Sequence, residues 1–270
     1  MIKFFRTIRQ RMLKENLPDR EAGRFSRYFL YAIGEIVLVM VGILLALQVN
    51  NWNAERANRA KEVKYLNGLK ADLQIDLINL KAFMEDKDVK ASSALRLLRM
   101  ADPVSAADIQ FADSVIMRLF TWNTYNPSKK TMDELVGSGN LSLIQNDSIK
   151  MVMLDVEQRS QLLAVYTEHM RREYDFYLYD RSNVLREMTP FMDLDRWVEQ
   201  AQVVFKVQAS EPELIALRAQ YHAFLHDLTL RNGLKLAALN NRSMRVDCGV
   251  LHAELEHLIV LIDDDLNTEQ

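Results

Sequence analysis

The feature that most constrains this chain is an apolar run of twenty residues, 30–49, with one charged side chain inside it, Glu35. Twenty helical residues rise about 30 Å, which matches the thickness of the hydrocarbon core of a bilayer. Tyr28 and Trp52 flank the run, and aromatic residues are enriched at both membrane interfaces. The run therefore predicts a transmembrane helix over residues 28–52 and a single-pass membrane protein.

A cleaved signal peptide is the alternative explanation for an apolar run near the N-terminus. Signal peptides have a short basic region, an apolar core of about 7–15 residues and a small-residue cleavage site. Here 27 residues precede the predicted span, the apolar run is twenty residues long, and no small-x-small pair follows it. These differences favour an uncleaved anchor.

The distribution of basic residues predicts the orientation of the span. Residues 1–27 contain eight Lys or Arg side chains, whereas the twenty residues after the run contain four. Segments on the cytoplasmic side carry the excess of Lys and Arg. We therefore expect residues 1–27 in the cytoplasm and a domain of residues 53–270 on the other side of a bacterial inner membrane, in the periplasm.

The N-terminal segment also has a helical pattern of its own. Apolar side chains recur there at helical spacing and alternate with five basic ones, which are Lys3, Arg6, Arg9, Arg11 and Lys14. This pattern predicts a short amphipathic helix lying on the anionic inner leaflet of the bilayer. A segment held at the membrane by charge alone is the alternative.

Composition favours helices in the large domain and argues against nucleic acid as a partner. The chain has 8 Gly and 5 Pro in 270 residues, and one cysteine, Cys248. So few turn residues favour helix over sheet, and a lone cysteine cannot form an internal disulfide. The net charge is −3 although residues 1–27 are basic, so residues 53–270 are acidic and would repel phosphates.

Periodicity predicts an all-α fold. One apolar stripe continues outward from the span, a second helical stretch is expected over residues 89–100, and the last stripe steps by four and three residues, as packing seams do. The first stripe is Leu66, Leu69, Leu73, Leu77, Leu80 and Met84; the last is Met244, Cys248, Leu251, Leu255, Leu258 and Ile262. We expect one transmembrane helix that continues into a long helix, followed by an extracytoplasmic antiparallel helical bundle.

Local signals predict where several helices begin and end. Ser105 and Asn146 are good N-caps for two of them, and Ser210 for a third, which Gly233 is expected to kink or end. Residues 203–207 have the composition of a short strand, but they lie in a region that we expect to be mostly helix and loop.

The span carries the strongest functional signal. An ionised Glu35 costs a few kcal/mol inside a bilayer, and such residues face a partner or water. Gly34, Gly42 and Ala46 lie on a neighbouring stripe, and Gly42-x-x-x-Ala46 is a small-xxx-small pattern that lets two helices approach closely. We expect contact with a helix of a second copy or of another membrane protein. A proton site, or a tolerated carboxyl group without a role, are the alternatives.

Other candidate chemistry is weaker. His222 and His226 share a helix face, with Asp227 adjacent, but zinc requires a third ligand. His252, Glu256 and His257 form a similar, weaker cluster. Cys248 is expected to be a buried thiol, and the aromatic patch at 174–180 to be core, with any exposed remainder a docking surface. No nucleotide-binding, nucleophile or paired-cysteine motif is found. We therefore expect no metal site, no cofactor and no catalytic residue.

Residues 1–10, residues 31–53 and, more loosely, residues 131–146 carry a recognisable pattern, densest in Gly42-Ile-Leu-Leu-Ala-Leu-Gln-Val-Asn-Asn-Trp-Asn53. These segments resemble a family of uncharacterised single-span membrane proteins that is common in Bacteroidetes, a domain-of-unknown-function family. The resemblance implies a membrane location and a single-span topology, and it adds no catalytic residues.

These patterns together predict a non-enzymatic membrane protein. The helical periplasmic domain is expected to act as a scaffold or interaction module, in a homo-oligomer or in a complex with another membrane protein. The alternative is a periplasmic ligand-sensing domain, since helical proteins can bind small ligands between their helices. About 27 cytoplasmic residues are too few for a signalling enzyme, so such a sensor would need a separate partner.

Overall fold

The computed structural model describes residues 22–200 and 209–268, and every regular element in those ranges is a helix. We number the α-helices in chain order. They are α1 (Ala22–Leu98), α2 (Ala106–Phe120), α3 (Lys130–Gly137), α4 (Asp147–Glu173), α5 (Asp180–Leu185), α6 (Leu194–Gln200), α7 (Glu211–His226) and α8 (Leu228–Asn267). A 3-10 turn (Asn140–Leu143) precedes α4, and a π-helical segment (Tyr174–Tyr179) joins α4 to α5. The prediction of an all-helical protein with one long apolar N-terminal helix is confirmed.

The chain divides into two compact units, Met1–Ala60 and Lys61–Gln270. In the first unit, every described side chain between residues 28 and 58 is exposed. Helix α1 is long and apolar enough to cross a membrane, which is compatible with a single-pass membrane protein. The predicted amphipathic helix of the N-terminal segment lies outside the described residues.

The second unit has one hydrophobic core, to which most of its helices contribute. The predicted stripe of α1 faces this core: Leu66, Leu69, Leu73 and Leu80 are buried, and Leu77 and Met84 are half-buried. The predicted seam of α8 is buried along its whole length, from Met244 to Ile262. Both stripe predictions are confirmed, because a 3.6-residue period places these side chains on one face of their helix.

The helical stretch predicted over residues 89–100 is not a separate helix. Helix α1 continues to Leu98 as a single helix of 77 residues. No Gly or Pro interrupts the chain between residues 85 and 98, so the backbone hydrogen bonding continues through this segment. Lys87 and Lys90 are buried within the second unit, and the Asp86 carboxylate accepts hydrogen bonds from both ammonium groups.

All three predicted helix starts are confirmed, and Ser210 caps α7 in a capping box with Glu213. The Ser105 hydroxyl accepts the backbone N–H of Asp108, and the Asp108 carboxylate accepts the backbone N–H of Ser105, which forms a complete capping box for α2. The Asn146 side chain accepts the N–H groups of Ser148 and Ile149 at the start of α4. These contacts satisfy N–H groups that have no partner inside the helix.

The expectation that Gly233 kinks or ends a helix is wrong. Helix α7 ends at His226, Asp227 caps the next helix through the N–H of Leu230, and α8 runs through Gly233 without a break. A Cβ on Gly233 would lie 2.5 Å from the Cβ of Tyr177. Gly233 is therefore needed for the close approach of α8 to the π-helical segment. The strand suggested at 203–207 lies outside the described residues.

Candidate functional site

The predicted contact face of the span is open along the described helix. A Cβ added at Gly34 or at Gly42 would meet no atom within 4 Å, and Ala46 is exposed. Glu35 also borders an apolar strip that runs round the helix away from Gly42 and Ala46, through Ile36, Val39, Met40, Ile43 and Leu44. No hydrogen bond or ion pair to Glu35 is found among residues 22–200 and 209–268.

The predicted role of this face is a contact with another helix. A carboxyl group inside a bilayer is stabilised by a polar partner or by protonation, and small residues beside it allow another backbone to come close. Within residues 22–200 and 209–268, the structure brings no second functional group to Glu35, Gly34, Gly42 or Ala46, so their role stays a prediction. The five membrane-surface residues of the N-terminal segment, Lys3, Arg6, Arg9, Arg11 and Lys14, lie outside the described residues.

In the second unit, two histidines and an aspartate form a cluster at the surface. The Nδ1 atom of His222 lies 2.7 Å from Oδ2 of Asp102, and the Nε2 atom of His226 lies 2.9 Å from Oδ1. Both ring nitrogens donate, because an ionised carboxylate only accepts. The hydrogen bond from His222 is the main cause that lowers the pKa of the Asp102 carboxyl group. Each of the three residues is therefore oriented by the other two.

The backbone positions of the cluster are set by the core beneath it. Tyr221, Phe224 and Leu225 point into the core, so the residues four apart at 222 and 226 share the outer face of α7. Asp102 lies in the connection between α1 and α2. Arg231 holds this corner together by donating to the backbone carbonyls of Leu98 and Leu225.

Sequence reasoning identified the two histidines and missed their third partner. Asp102 precedes His222 by 120 residues and lies in a short loop before Pro103. An aspartate before a proline is typical of a turn and carries no sign of a distant histidine pair. No signal in a single sequence would have joined these three residues, because their contact depends on how α7 packs beside the end of α1.

The predicted cluster of His252, Glu256 and His257 on α8 does not form a comparable site among the described residues, and neither does Cys248. His252 pairs with Glu256 across 3.5 Å on α8, and no third metal-ligating group completes that pair in the part of the chain that the structure describes. Cys248 is fully buried, as predicted, and burial raises the pKa of its thiol to about 11. A thiol with so high a pKa is a poor nucleophile.

A buried lysine pair is the largest polar feature that sequence reasoning missed. Lys87 and Lys90 are 2% and 1% exposed, and Lys90 Nζ lies 2.5 Å from Oδ2 of Asp86. Lys87 Nζ lies 3.3 Å from the same oxygen and 4.1 Å from the centre of the Phe83 ring. Burial, together with the Lys90 ammonium group, lowers the pKa of Lys87 to about 8. The sequence did not indicate that these lysines are buried, because a buried lysine on a helix has the same sequence pattern as a lysine on a solvent-exposed stripe.

A second buried polar group joins three helical elements. Arg186 donates to Asp113 Oδ1 at 2.7 Å, and the Tyr221 hydroxyl donates to the same oxygen at 3.2 Å. The Arg186 guanidinium also lies over the rings of Tyr221 and Phe224. Because these groups contact one another, they stabilise the packing of the segments after α5 against α2 and α7.

Part of the aromatic patch at 174–180 is buried in the core and part of it is exposed. Tyr174 and Leu178 are buried, and the Tyr174 hydroxyl accepts a hydrogen bond from Asn241 at 2.8 Å. Tyr179 donates to the carbonyl of Phe120, whereas Phe176 is 62% exposed. One exposed ring is too small to define a docking surface, so the patch is chiefly core.

These features define a class of protein: an all-helical chain with one helix able to cross a bilayer and a second, well-packed unit that carries surface and buried polar clusters. A family of unknown function, DUF6090, matches residues 35–187, and the chain belongs to this family. The matched region begins at Glu35 and includes Asp102, whereas His222 and His226 lie beyond it. No curated protein and no solved structure matches the chain.

Proposed function

We propose that this protein is a non-enzymatic, single-pass protein of a bacterial inner membrane. Its N-terminal segment lies in the cytoplasm, and residues 53–270 form a periplasmic antiparallel helical bundle that acts as a scaffold or interaction module. The protein works as a homo-oligomer that associates through its span. Another membrane protein as the partner is the competing form of the same proposal.

One observation carries this proposal: the span is covered by nothing in the described chain and yet carries a carboxyl group beside small residues. The apolar side chains of the run are exposed all round the helix, and Gly42 offers open space where a second helix fits. Parallel association of two copies brings the two Glu35 side chains to the same depth. There a protonated carboxyl group of one copy can donate to the other copy.

The test uses two differently tagged copies of the whole chain, expressed together and purified in mild detergent. We expect co-purification of the wild type, and its loss with Gly42→Ile, because the added side chain keeps the backbones apart. The matched control is Leu44→Ile, which changes a residue about 200° away around the helix. Wild-type copies that do not co-purify or crosslink in membranes would overturn the proposal, as would equal behaviour of the two variants.

The carboxyl group is tested in the same experiment. Glu35→Gln keeps hydrogen-bonding groups and is expected to preserve association, whereas Glu35→Leu is expected to weaken it because the polar contact is lost. If Glu35→Leu associates as well as the wild type, the carboxyl group has no part in the contact. If another membrane protein replaces the second copy in the purified complex, the hetero-complex form of the proposal holds instead.

The orientation is tested by cysteine labelling in whole cells. In a Cys248→Ala background, Ser92→Cys is exposed on α1, and Thr7→Cys lies in the N-terminal segment. A thiol reagent that does not cross the inner membrane is expected to label position 92 and not position 7. The opposite result would place the large domain in the cytoplasm and contradict the proposed location.

Ligand sensing is a second candidate function, and one specific observation favours it. The cluster of Asp102, His222 and His226 presents three polar groups at the surface, where they join a loop to a helix. A ligand held there would change how firmly the two are connected. A partner protein would then have to convert that change into a signal.

A further inference from the structure

We propose that Asp102, His222 and His226 form a zinc-binding site that fastens the loop between α1 and α2 to helix α7. The proposal rests on these three side chains alone and does not depend on association through the span. It requires only that the second unit be folded as the structure describes.

The set of donor atoms suits zinc. Zinc binds imidazole nitrogen at about 2.0–2.1 Å and carboxylate oxygen at about 2.0–2.2 Å, and two histidines with one carboxylate are a common three-ligand set. One ligand atom from each of the three residues lies within 4.8 Å of the other two. The ligand atoms of a tetrahedral zinc site are about 3.3 Å apart, a value that follows from these bond lengths.

The present contacts are close to that arrangement. The nitrogens that would bind zinc, Nδ1 of His222 and Nε2 of His226, already point at the two oxygens of Asp102, at 2.7 and 2.9 Å. Each contact must lengthen by about half an ångström to admit the ion at the bond lengths that zinc prefers. The exposed fractions of the side chains, 61%, 58% and 43%, leave room for that adjustment.

The backbone holds the three ligand residues in fixed positions. The two histidines lie one turn apart on a helix whose opposite face is anchored in the core by Tyr221 and Phe224, which is the spacing that zinc-binding helices use. The third ligand comes from a loop that Arg231 ties to the same corner through the carbonyl of Leu98. Ligands from two separate elements allow one ion to cross-link them.

Zinc binds neutral imidazole through an unprotonated ring nitrogen. In each histidine the hydrogen that is now donated to Asp102 moves to the other ring nitrogen, and the lone pair that this frees binds the ion, so a neutral histidine releases no net proton. The three protein ligands leave a further coordination position for water, as in zinc sites that are not fully enclosed. No oxidation or bond cleavage is involved.

The test is zinc titration of the whole chain in detergent micelles, followed by calorimetry and by thermal unfolding. We expect one zinc ion per chain from this site. At free zinc of 100 times the dissociation constant, the midpoint temperature should rise by about 5–10 °C for a unit of this size. Cobalt in place of zinc should give visible absorption bands typical of a low-symmetry site with nitrogen ligands.

His222→Gln, His226→Gln and Asp102→Asn are the test variants, each expected to weaken zinc binding by more than about 100-fold. Even loss of an outer partner of a zinc ligand weakens binding about 10- to 100-fold. The matched control removes two other histidines, His252→Gln with His257→Gln, and should bind zinc as the wild type does. Each zinc-dependent shift is compared with the metal-free midpoint of the same variant, so a change in basal stability does not affect the result.

Three outcomes would overturn the proposal. The first is a wild type that does not bind zinc or shows no shift in midpoint temperature. The second is a set of test variants that bind zinc as well as the wild type does, which would place the ion elsewhere. The third is a control that loses binding while His222→Gln retains it, which would move the site to His252 and His257 on α8.

Discussion

The two units of this chain use apolar side chains in opposite ways, although helix α1 contributes to both. In the first unit, apolar residues surround the helix and every described side chain between residues 28 and 58 is exposed. In the second unit, apolar residues form one stripe on each helix, and that stripe is buried in a common core. An apolar surface all round a helix needs lipid or another chain to cover it, whereas a stripe is covered by the protein's own helices.

The same contrast applies to ionisable groups. Glu35 in the span has no hydrogen-bond partner in the part of the chain that the structure describes, whereas the buried Lys87 and Lys90 share Asp86. The two buried ammonium groups of the second unit thus have an internal partner, whereas Glu35 has none among the described residues. The proposed association therefore begins at the span.

The largest expected difference between the two units is in the change of unfolding free energy when a leucine is replaced by alanine. Leu251→Ala should lower the free energy of unfolding of the second unit by about 2–5 kcal/mol, because Leu251 is fully buried and its loss leaves a cavity. Leu44→Ala in the span should leave that free energy unchanged. Urea unfolding followed by the fluorescence of Trp122, which packs on Tyr174, measures both. Equal destabilisation by the two changes would contradict the division into units.

Lys87→Met should raise the free energy of unfolding by about 1–3 kcal/mol at pH 7, because the lowered pKa of Lys87 reflects the cost of burying its ammonium group, and Asp86 keeps Lys90 as its partner. The pKa of Lys87 falls from 10.5 to about 8 on folding, so the unfolded chain holds more protons between these values. Its contribution to stability therefore increases as pH rises from about 8 to 10.5.

The difference between wild type and Lys87→Met isolates this contribution. Cys248, whose pKa is raised to about 11, acts in the opposite direction over a similar range and is present in both proteins. We expect the advantage of the variant to shrink as pH rises through that window, in urea titrations at several pH values. An advantage that does not depend on pH would show that Lys87 is not buried as an ammonium group.

Substitution of one glycine in each unit compares how closely neighbouring segments pack against the backbone. Gly233→Ala should cost about 1–3 kcal/mol, since its Cβ would lie 2.5 Å from the Cβ of Tyr177 and 3.3 Å from the backbone of the same residue. Gly42→Ala meets no atom within 4 Å and should not change the unfolding of the second unit. Thermal unfolding of both variants decides this, and a neutral Gly233→Ala would mean that α8 and the π-helical segment can separate without cost.

The smallest effect is expected at a helix end. Ser105→Ala removes half of the capping box of α2 and should cost about 1 kcal/mol. Ser92→Ala, an exposed change within α1, is the control and should stay within about 0.5 kcal/mol of the wild type. If both changes have the same effect, the cap contributes nothing to the second unit beyond helix propensity.

Much of the fold could be predicted because helix periodicity and capping are local properties. The stripe that begins at Leu66, the seam that ends at Ile262 and the caps at Ser105 and Asn146 follow from residues within a few turns of one another. The errors arose where packing overrides a local rule. Gly233 resembles a helix breaker in sequence, but it lies within α8 because another segment passes close to it.

The candidate sites divide in the same way. Glu35, Gly34, Gly42 and Ala46 could be proposed as a contact site because an apolar run has a sharp composition, in which any polar or small residue is easily recognised; their role stays a prediction. Asp102 could not be joined to His222 and His226, and no pattern marked Lys87 as buried. Those assignments need contacts between residues far apart in the chain.

The sequence by itself determined the helical class, the position of the apolar span and the direction that each amphipathic stripe faces. Only the tertiary structure decided which helices share a corner, and therefore that Asp102 meets two histidines 120 and 124 residues later. The physical reason is the distance along the chain over which each interaction acts. Backbone hydrogen bonding and hydrophobic period act over one or two turns, whereas a three-residue cluster depends on the packing of whole helices.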